Sequence, residues 1–124
     1  MKIDKLTLGE IKQLKKMFHG DQGGDFQSPH LNKKCIIRCD RSGVFYGTLK
    51  ALHKKHAIVE DAIRIWYWAG AASLSQLAVD GTSKPGDCKF AVRVSSLELT
   101  DCLETIPAEN TAQASIEGVA SWKK

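Results

Sequence analysis

The sequence predicts a mainly β domain of the α+β type: a small antiparallel rolled sheet or barrel with an N-terminal amphipathic helix and short peripheral helices. Three observations predict this class. Apolar and polar residues alternate with a period of two through the middle of the chain, as in half-buried strands. The turns between these segments are very short, which is typical of antiparallel hairpins. Gly47 interrupts one predicted strand, and a glycine there indicates a bulge or a sharp bend.

The first predicted element is an amphipathic helix. Thr7 and Glu10 form a capping box. Apolar residues then recur at spacings of three and four, at Leu8, Ile11, Leu14, Met17 and Phe18. Because a helix of this size is not stable alone, its apolar stripe must pack on the body of the protein or on another subunit. We assign residues 1–18 to an oligomerisation helix and the Gly-rich residues 19–34 to a linker.

Residues 35–124 form the predicted β-rich domain. Its first three strand segments are "CIIRCD", "VFYGTLKAL" and "AIVEDAIRIWYW", and a fourth segment, "CKFAVRVSSLELTDCLETIP", holds one bent strand or two. Two short helical segments interrupt or follow these strands. Ser73 lies near the start of the first, and Asn110 is the predicted cap of the second.

Composition and charge narrow the functional classes. The 124-residue chain carries a net charge of +4, and residues 1–55 hold 12 Lys and Arg against 5 Asp and Glu. This basic half suits a phosphate-bearing partner, although a solvated lysine-rich surface is the preferred interpretation for most of its lysines. The sequence has no apolar run long enough to span a membrane and no signal-peptide pattern, so we expect a cytoplasmic protein.

The sequence favours a binding protein over an enzyme. It contains no GxSxG, HExxH or P-loop motif. Glu60 and Asp61 are adjacent on a strand and therefore point to opposite faces, so they are not an acid–base pair. The four cysteines begin with a CxxxC spacing that suits zinc poorly, and we expect free thiols that act as small apolar residues. No metal and no cofactor is predicted.

The segment "RIWYWAGAASLSQLA", residues 64–78, is the strongest candidate for a ligand site. Strand alternation predicts that one set of side chains faces the core, Ile63, Ile65 and Tyr67, and that the other faces a neighbour or a ligand, Arg64, Trp66 and Trp68. A cation flanked by flat rings can stack a purine and hold its phosphate. Small residues then leave backbone N–H groups open to an anion. Packing of the tryptophans in the core and in a subunit interface remains the alternative.

The candidate ligand-binding residues combine arginine, which suits bidentate phosphate contact, with stacking and polar side chains: Arg38, Arg41, Arg64, Trp66, Trp68, Ser73, Gln76 and Arg93. We expect at least one of the four arginines to be only a surface or ion-pair residue.

Three stretches, "CIIRCDRSGVFYGTLK", "IRIWYWAGAASLSQLAVDGTSKPGDCKF" and "AQASIEGVASW", resemble the first-described family of phage anti-Thoeris sponge proteins. The resemblance covers residues 35–122, and residues 66–78 are its most specific part. It implies a non-enzymatic protein that holds cyclic ADP-ribose-type immune signals without cleaving them and so blocks effector activation in the Thoeris defence system. It also implies, for some members, sequestration of the cyclic trinucleotides of CBASS at a separate site.

The resemblance further implies assembly as a homo-oligomer, a dimer or in some cases a hexamer, with pockets at subunit contacts. The expected partners are therefore a small cyclic nucleotide and further copies of the chain, in the cytoplasm of an infected bacterial host. No membrane or nucleic-acid partner is expected. The alternative function is that of a small basic β-barrel that binds nucleic acid or a host protein.

Overall fold

The structure is a computed structural model, and it describes residues 26–124. Six strands are present in these residues: β1 (Lys34–Cys39), β2 (Val44–His53), β3 (His56–Tyr67), β4 (Lys89–Phe90), β5 (Val94–Leu99) and β6 (Cys102–Pro107). They are accompanied by two short α-helices and one 3₁₀ turn, α1 (Leu74–Asp80), α2 (Asn110–Glu117) and Pro85–Asp87. The domain is therefore mainly β, as predicted.

All neighbouring strands of the sheet are antiparallel. The strand order is β4-β3-β2-β1-β6. β5 and β4 pair with the same edge of β3, β5 with the first half of that strand and β4 with its end. β5 and β6 thus lie at opposite edges of the sheet, yet only Thr100 and Asp101 connect them. Because so short a connection spans only roughly 10 Å, the two edges must approach each other and the sheet rolls. This connection explains the predicted rolled architecture.

Two apolar cores lie on the two faces of the sheet. The first, which we call the helix-side core, joins residues of the sheet such as Ile36, Tyr46 and Ile65 to Leu77 of α1 and Ile116 of α2. The second core lies on the opposite face and is enclosed by the roll of the sheet; its buried members are Cys35, Ile37, Cys39, Phe45, Leu49, Ala57, Val59, Ala62, Leu99 and Cys102. Burial on both faces accounts for the near-continuous apolar run of β1.

The predicted bulge at Gly47 is confirmed. The register between β2 and β3 shifts between Tyr46 and Thr48. A Cβ atom at Gly47 would lie 2.6 Å from a methyl carbon of Val59 and 2.8 Å from the carbonyl oxygen of Glu60, so only glycine fits this close approach. The extra residue of the bulge lies in β3 opposite Gly47, where Asp61 adopts a positive φ of 52°. Together these features bend the hairpin.

All four cysteines are free and buried, which confirms their predicted role as small apolar residues. Three of them, Cys35, Cys39 and Cys102, belong to the core enclosed by the roll. Burial raises the pKa of the Cys35 thiol to about 11 and that of Cys39 to about 12. These thiols are therefore protonated at neutral pH.

Several predicted boundaries need correction. β1 begins at Lys34, and the N–H of Asn32 donates to the carbonyl of Leu49 at 2.6 Å, so the last part of the predicted 19–34 linker is fastened to the sheet. The predicted Asn110 cap is wrong by one position, since Glu109 occupies the N-cap and Asn110 is already helical. The predicted 1–18 helix lies outside the described residues. In residues 26–124, no helix has the length and apolarity that a membrane crossing requires.

Candidate ligand-binding site

One surface pocket gathers four of the eight predicted ligand-binding residues. It has a volume of about 260 Å³ and lies where the β1–β2 turn meets the end of β3. We call it the arginine–tryptophan pocket, and its lining is Arg41, Ser42, Gly43, Val44, Arg64, Ile65, Trp66 and Trp68. Two of these lining residues are arginines and none is acidic. The pocket therefore presents positive charge next to aromatic rings.

Arg64 is held at two points of its guanidinium group. Its Nη1 donates to the carbonyl oxygen of Ser42 at 2.6 Å. Its Cζ lies 4.5 Å from the centroid of the buried Phe45 ring, a cation–π geometry. No carboxylate pairs with Arg64 among residues 26–124. The charge of Arg64 is thus oriented by neutral groups and is not neutralised by a described acid.

The turn that carries Arg41 is fixed by an aspartate from another part of the chain. Asp101 accepts hydrogen bonds from the backbone N–H groups of Arg41 at 2.7 Å and Ser42 at 2.8 Å, and from the Ser42 hydroxyl at 2.5 Å. The hydroxyl bond first, and then the two N–H bonds, lower the pKa of Asp101 to about 2. The carboxylate is therefore ionised at neutral pH. Gly43, with a φ of 112°, allows the turn to close.

Trp66 forms the exposed aromatic wall of the pocket. Its side chain is 64% exposed. Its ring is nearly parallel to that of Trp122, with the two ring centroids 6.2 Å apart. The C-terminal residues reach this position because the N–H of Trp122 donates to the carbonyl of Phe90 at 2.8 Å, beside β4. Lys89 adds a cation 5.4 Å from the Trp122 ring. This arrangement makes a flat, positively charged surface at the pocket mouth.

The predicted inward and outward sets of the segment 63–68 are only partly right. Ile63 and Ile65 are buried as predicted, but Tyr67 is 53% exposed. The register between β3 and β4 shifts between Ile65 and Tyr67, and β3 ends there. Strand alternation consequently fails at this point. Trp68 lies beyond the strand, where it packs against the helix-side core and lines the pocket with its remaining surface.

Two of the four predicted arginines lie outside the pocket. Arg38 is the cross-strand partner of Val44, a pocket residue, but its Nε donates to Glu104 on β6 at 2.9 Å. Arg38 is thus an ion-pair residue, which is one of the roles that we expect for at least one arginine, and its predicted ligand contact stays a prediction. The Nη1 of Arg93 donates to the backbone carbonyl of Asp61 at 3.3 Å.

Ser73 and Gln76 also lie outside the pocket, because both cap α1. The Ser73 hydroxyl accepts the N–H of Gln76 at 3.1 Å, and the side-chain carbonyl of Gln76 accepts the N–H of Ala72 at 2.7 Å. The backbone N–H groups of Ala72 and Gln76, in the segment predicted to bind an anion, are thus occupied by the hydrogen bonds of the helix cap. The predicted Ser73 near the helix start is confirmed, and its predicted ligand contact finds no support in this geometry.

The sequence prediction missed Ser42, Asp101 and Trp122. The sequence predicts a short hairpin turn between the first two strand segments, but nothing local shows that a distant aspartate fixes this turn. Trp122 reaches Trp66 only through the bridge between Phe90 and Ser121. Long-range pairing of this kind leaves no periodic signal in the sequence.

Comparison with known proteins gives a family but no function. The sequence matches a domain of unknown function, DUF6948, over residues 32–116. No curated protein and no solved structure shows a significant match to the chain. The matched range covers more than half of the chain and includes β1 to β6 and most of α2. This chain is a member of the DUF6948 family.

Proposed function

We propose that this protein binds a cyclic nucleotide of the cyclic ADP-ribose type in the arginine–tryptophan pocket and sequesters it without cleavage. On this proposal it acts in the cytoplasm of an infected bacterial host and keeps the signal from effectors of the Thoeris or CBASS systems. The observation that carries the proposal is the convergence of Arg41, Arg64, Trp66 and Trp68 on one pocket. The resemblance to phage sponge proteins supplies the ligand class.

The chemistry of these four side chains suits a nucleotide. A guanidinium group presents several N–H donors in a planar array that matches a phosphate group. An exposed indole ring offers a stacking surface that accepts any nucleobase. Arg64 can direct its charge to a ligand phosphate, since its described contacts are a carbonyl oxygen and an aromatic ring.

Energetics require both kinds of contact. Sequestration at nanomolar ligand needs a binding free energy of about 12 kcal/mol. Stacking contributes only roughly 1–3 kcal/mol per base. Charge-assisted hydrogen bonds to phosphate must therefore supply much of the remainder, because each contributes about 1.5–3 kcal/mol. On this account the two arginines dominate affinity and the tryptophans add to it.

The composition of the pocket supports binding without chemistry. Its described lining contains no His, Cys, Asp or Glu side chain that would act as a base or a nucleophile. Asp101 lies behind the turn, where three hydrogen-bond donors already occupy its oxygens. On the proposed function, a ligand held between guanidinium groups and indole rings stays intact.

The size and exposure of the pocket support a homo-oligomer, either a dimer or a hexamer. Pockets for small ligands commonly measure about 300–1,000 Å³, and the pocket of this single chain has about 260 Å³. Trp66 and Trp122 leave large apolar surfaces in solvent, 64% and 44% exposed. A second copy of the chain at this mouth would enlarge the pocket and cover both rings.

The second candidate is a protein that binds single-stranded nucleic acid. The exposed Trp66–Trp122 pair with the neighbouring Lys89 favours it, because bases stack on exposed rings near cations. The two candidates differ in how binding depends on salt. Nucleic-acid binding weakens steeply as salt rises, because bound counterions are released.

Calorimetric titration of the full chain with cyclic ADP-ribose isomers, cyclic trinucleotides and single-stranded RNA separates these functions. The proposal predicts saturable, stoichiometric binding of a cyclic nucleotide and weak, strongly salt-dependent binding of RNA. Tight RNA binding with no cyclic nucleotide bound would favour the second candidate. Binding of none of these ligands would refute the proposed function.

A further inference from the structure

We propose that Asp101 is a positioning residue for the ligand pocket, which orients Arg64 through the Ser42 peptide although it does not line the pocket itself. This inference rests on the proposed function. Asp101 belongs to the β5–β6 connection, whereas Arg41 and Ser42 belong to the β1–β2 turn and Arg64 to β3. Residues from three separate parts of the chain thus meet at one point.

The first link runs from Asp101 to the β1–β2 turn. One carboxylate oxygen accepts the N–H groups of Arg41 and Ser42, and the other accepts the Ser42 hydroxyl. The two connections are also joined through the backbone, since the N–H of Asp40 donates to the carbonyl of Asp101 at 2.8 Å. These four bonds fix the backbone up to Ser42, and the Ser42 residue carries that placement to its own carbonyl in the next peptide unit.

The second link runs from the Ser42 peptide to Arg64. The Ser42 carbonyl accepts from Nη1 of Arg64 at 2.6 Å, while the ring of Phe45 supports the guanidinium from below. Arg64 is exposed, so its long side chain would otherwise sample many rotamers. The direction of the carbonyl selects one of them. A shift of the turn would therefore move both Arg41 and Arg64, the two charges of the pocket.

The charge of Asp101 makes this role testable. A carboxylate near a site for an anionic ligand repels that ligand, so its electrostatic effect alone weakens binding. Replacement by asparagine removes the negative charge, leaves one oxygen for the two backbone N–H groups and places an NH₂ group at the Ser42 hydroxyl, so the bonds that hold the turn lose their charge assistance. Simple electrostatics thus predicts tighter ligand binding for D101N, and a positioning role predicts weaker binding.

The experiment measures the affinity of the full-length wild type, D101N, R64A and the double variant for cyclic ADP-ribose by calorimetry. We expect D101N to weaken binding about tenfold, the effect of one lost charge-assisted contact. Because Asp101 acts in part through Arg64, D101N should weaken binding less in the R64A background than in the wild type, so the two effects should not add. Asp80, an exposed aspartate at the end of α1 outside the pocket, gives the matched control D80N, which should bind like wild type.

Each contrary result has a distinct meaning. Unchanged or tighter binding by D101N, or effects of D101N and R64A that simply add, would overturn the positioning role while R64A still supports the pocket. If the wild type fails to bind, or if R64A binds as well as the wild type, the proposed function fails and this inference fails with it.

Thermal unfolding of each variant distinguishes a local change from loss of the fold. If D101N is unfolded, Ser42→Ala, which removes only the hydroxyl bond, must show a weaker form of the same non-additive loss.

Discussion

Two neighbouring regions of this domain each place an arginine near an acid, with opposite results. On the β1–β6 pair, Glu104 binds the guanidinium of Arg38 directly at 2.9 Å. At the end of β3, Asp101 binds backbone N–H groups and the Ser42 hydroxyl, and the Ser42 carbonyl holds Arg64. The first arginine is neutralised and the second keeps its charge available. On the proposed function, Arg64 is available to bind a ligand because the nearby acid, Asp101, is occupied by other donors.

The two regions lie close together, which makes the contrast informative. Val44 pairs with Arg38 on β1 and with Ile65 on β3, and it lines the arginine–tryptophan pocket. Arg38 therefore lies beside the pocket that Arg64 lines, and the two arginines also differ in their hydrogen-bond partners.

The largest difference in ligand affinity should appear when Arg64 and Arg38 are each replaced by alanine. We expect R64A to weaken binding of cyclic ADP-ribose about 100-fold, because it removes a charge-assisted contact and leaves the ligand phosphate without a partner. R38A should change affinity by no more than about twofold, because its charge is already paired. Calorimetry on the two variants measures both. Equal losses would show that the ion pair with Glu104 opens on binding, and the contrast drawn here would be wrong.

The next effect concerns the aromatic wall. Trp66→Ala should weaken binding about tenfold and leave the stability of the fold nearly unchanged, because the ring is mostly exposed. Trp68→Ala should in addition lower the free energy of unfolding by about 2 kcal/mol, since its ring packs on the helix-side core. Tyr67→Ala is the control, exposed but outside the pocket. Ligand titration and denaturant unfolding of the variants test these different roles. A larger loss of stability for Trp66→Ala than for Trp68→Ala would contradict them.

These contrasts show how far the sequence alone can lead. The rolled antiparallel sheet, the Gly47 bulge, the Ser73 cap and the buried cysteines follow from local patterns that the structure confirms. Alternation predicted Ile63 and Ile65 correctly and failed at Tyr67, where the register shifts.

The candidate site was harder to predict, because residues distant in sequence decide whether each arginine forms an ion pair or lines the pocket. Arg38 and Glu104 are 66 residues apart, and Ser42 and Asp101 are 59 apart. No periodicity encodes such pairings.

A third effect is the dependence of stability on the titration of Asp101. Asp101 has a folded pKa of about 2 against an ordinary value of 3.8. Its contribution to stability is complete above the unfolded pKa and is lost as the pH falls from 3.8 through about 2, because the unfolded chain binds the proton first. We expect D101N to show a shallower loss of stability over this range. Denaturant midpoints at several acidic pH values measure it, and parallel curves for wild type and D101N would contradict the account.

The smallest effect should come from Glu104→Gln, which releases Arg38 beside the pocket. Because exposed ion pairs contribute little to stability, the free energy of unfolding should change by less than about 1 kcal/mol. Binding of cyclic ADP-ribose should strengthen roughly threefold, because an unpaired cation is added near an anionic ligand. Weaker binding by this variant would mean that the Arg38–Glu104 pair itself shapes the pocket.

The central claim is that this pocket holds a cyclic nucleotide and leaves it intact. The most direct measurement incubates the full-length protein with cyclic ADP-ribose, removes free ligand by gel filtration, heats the protein fraction and identifies what is released by mass spectrometry. The account predicts recovery of uncleaved cyclic ADP-ribose from the wild type and almost none from R64A. Recovery of a hydrolysed product, or equal recovery from R64A, would contradict it.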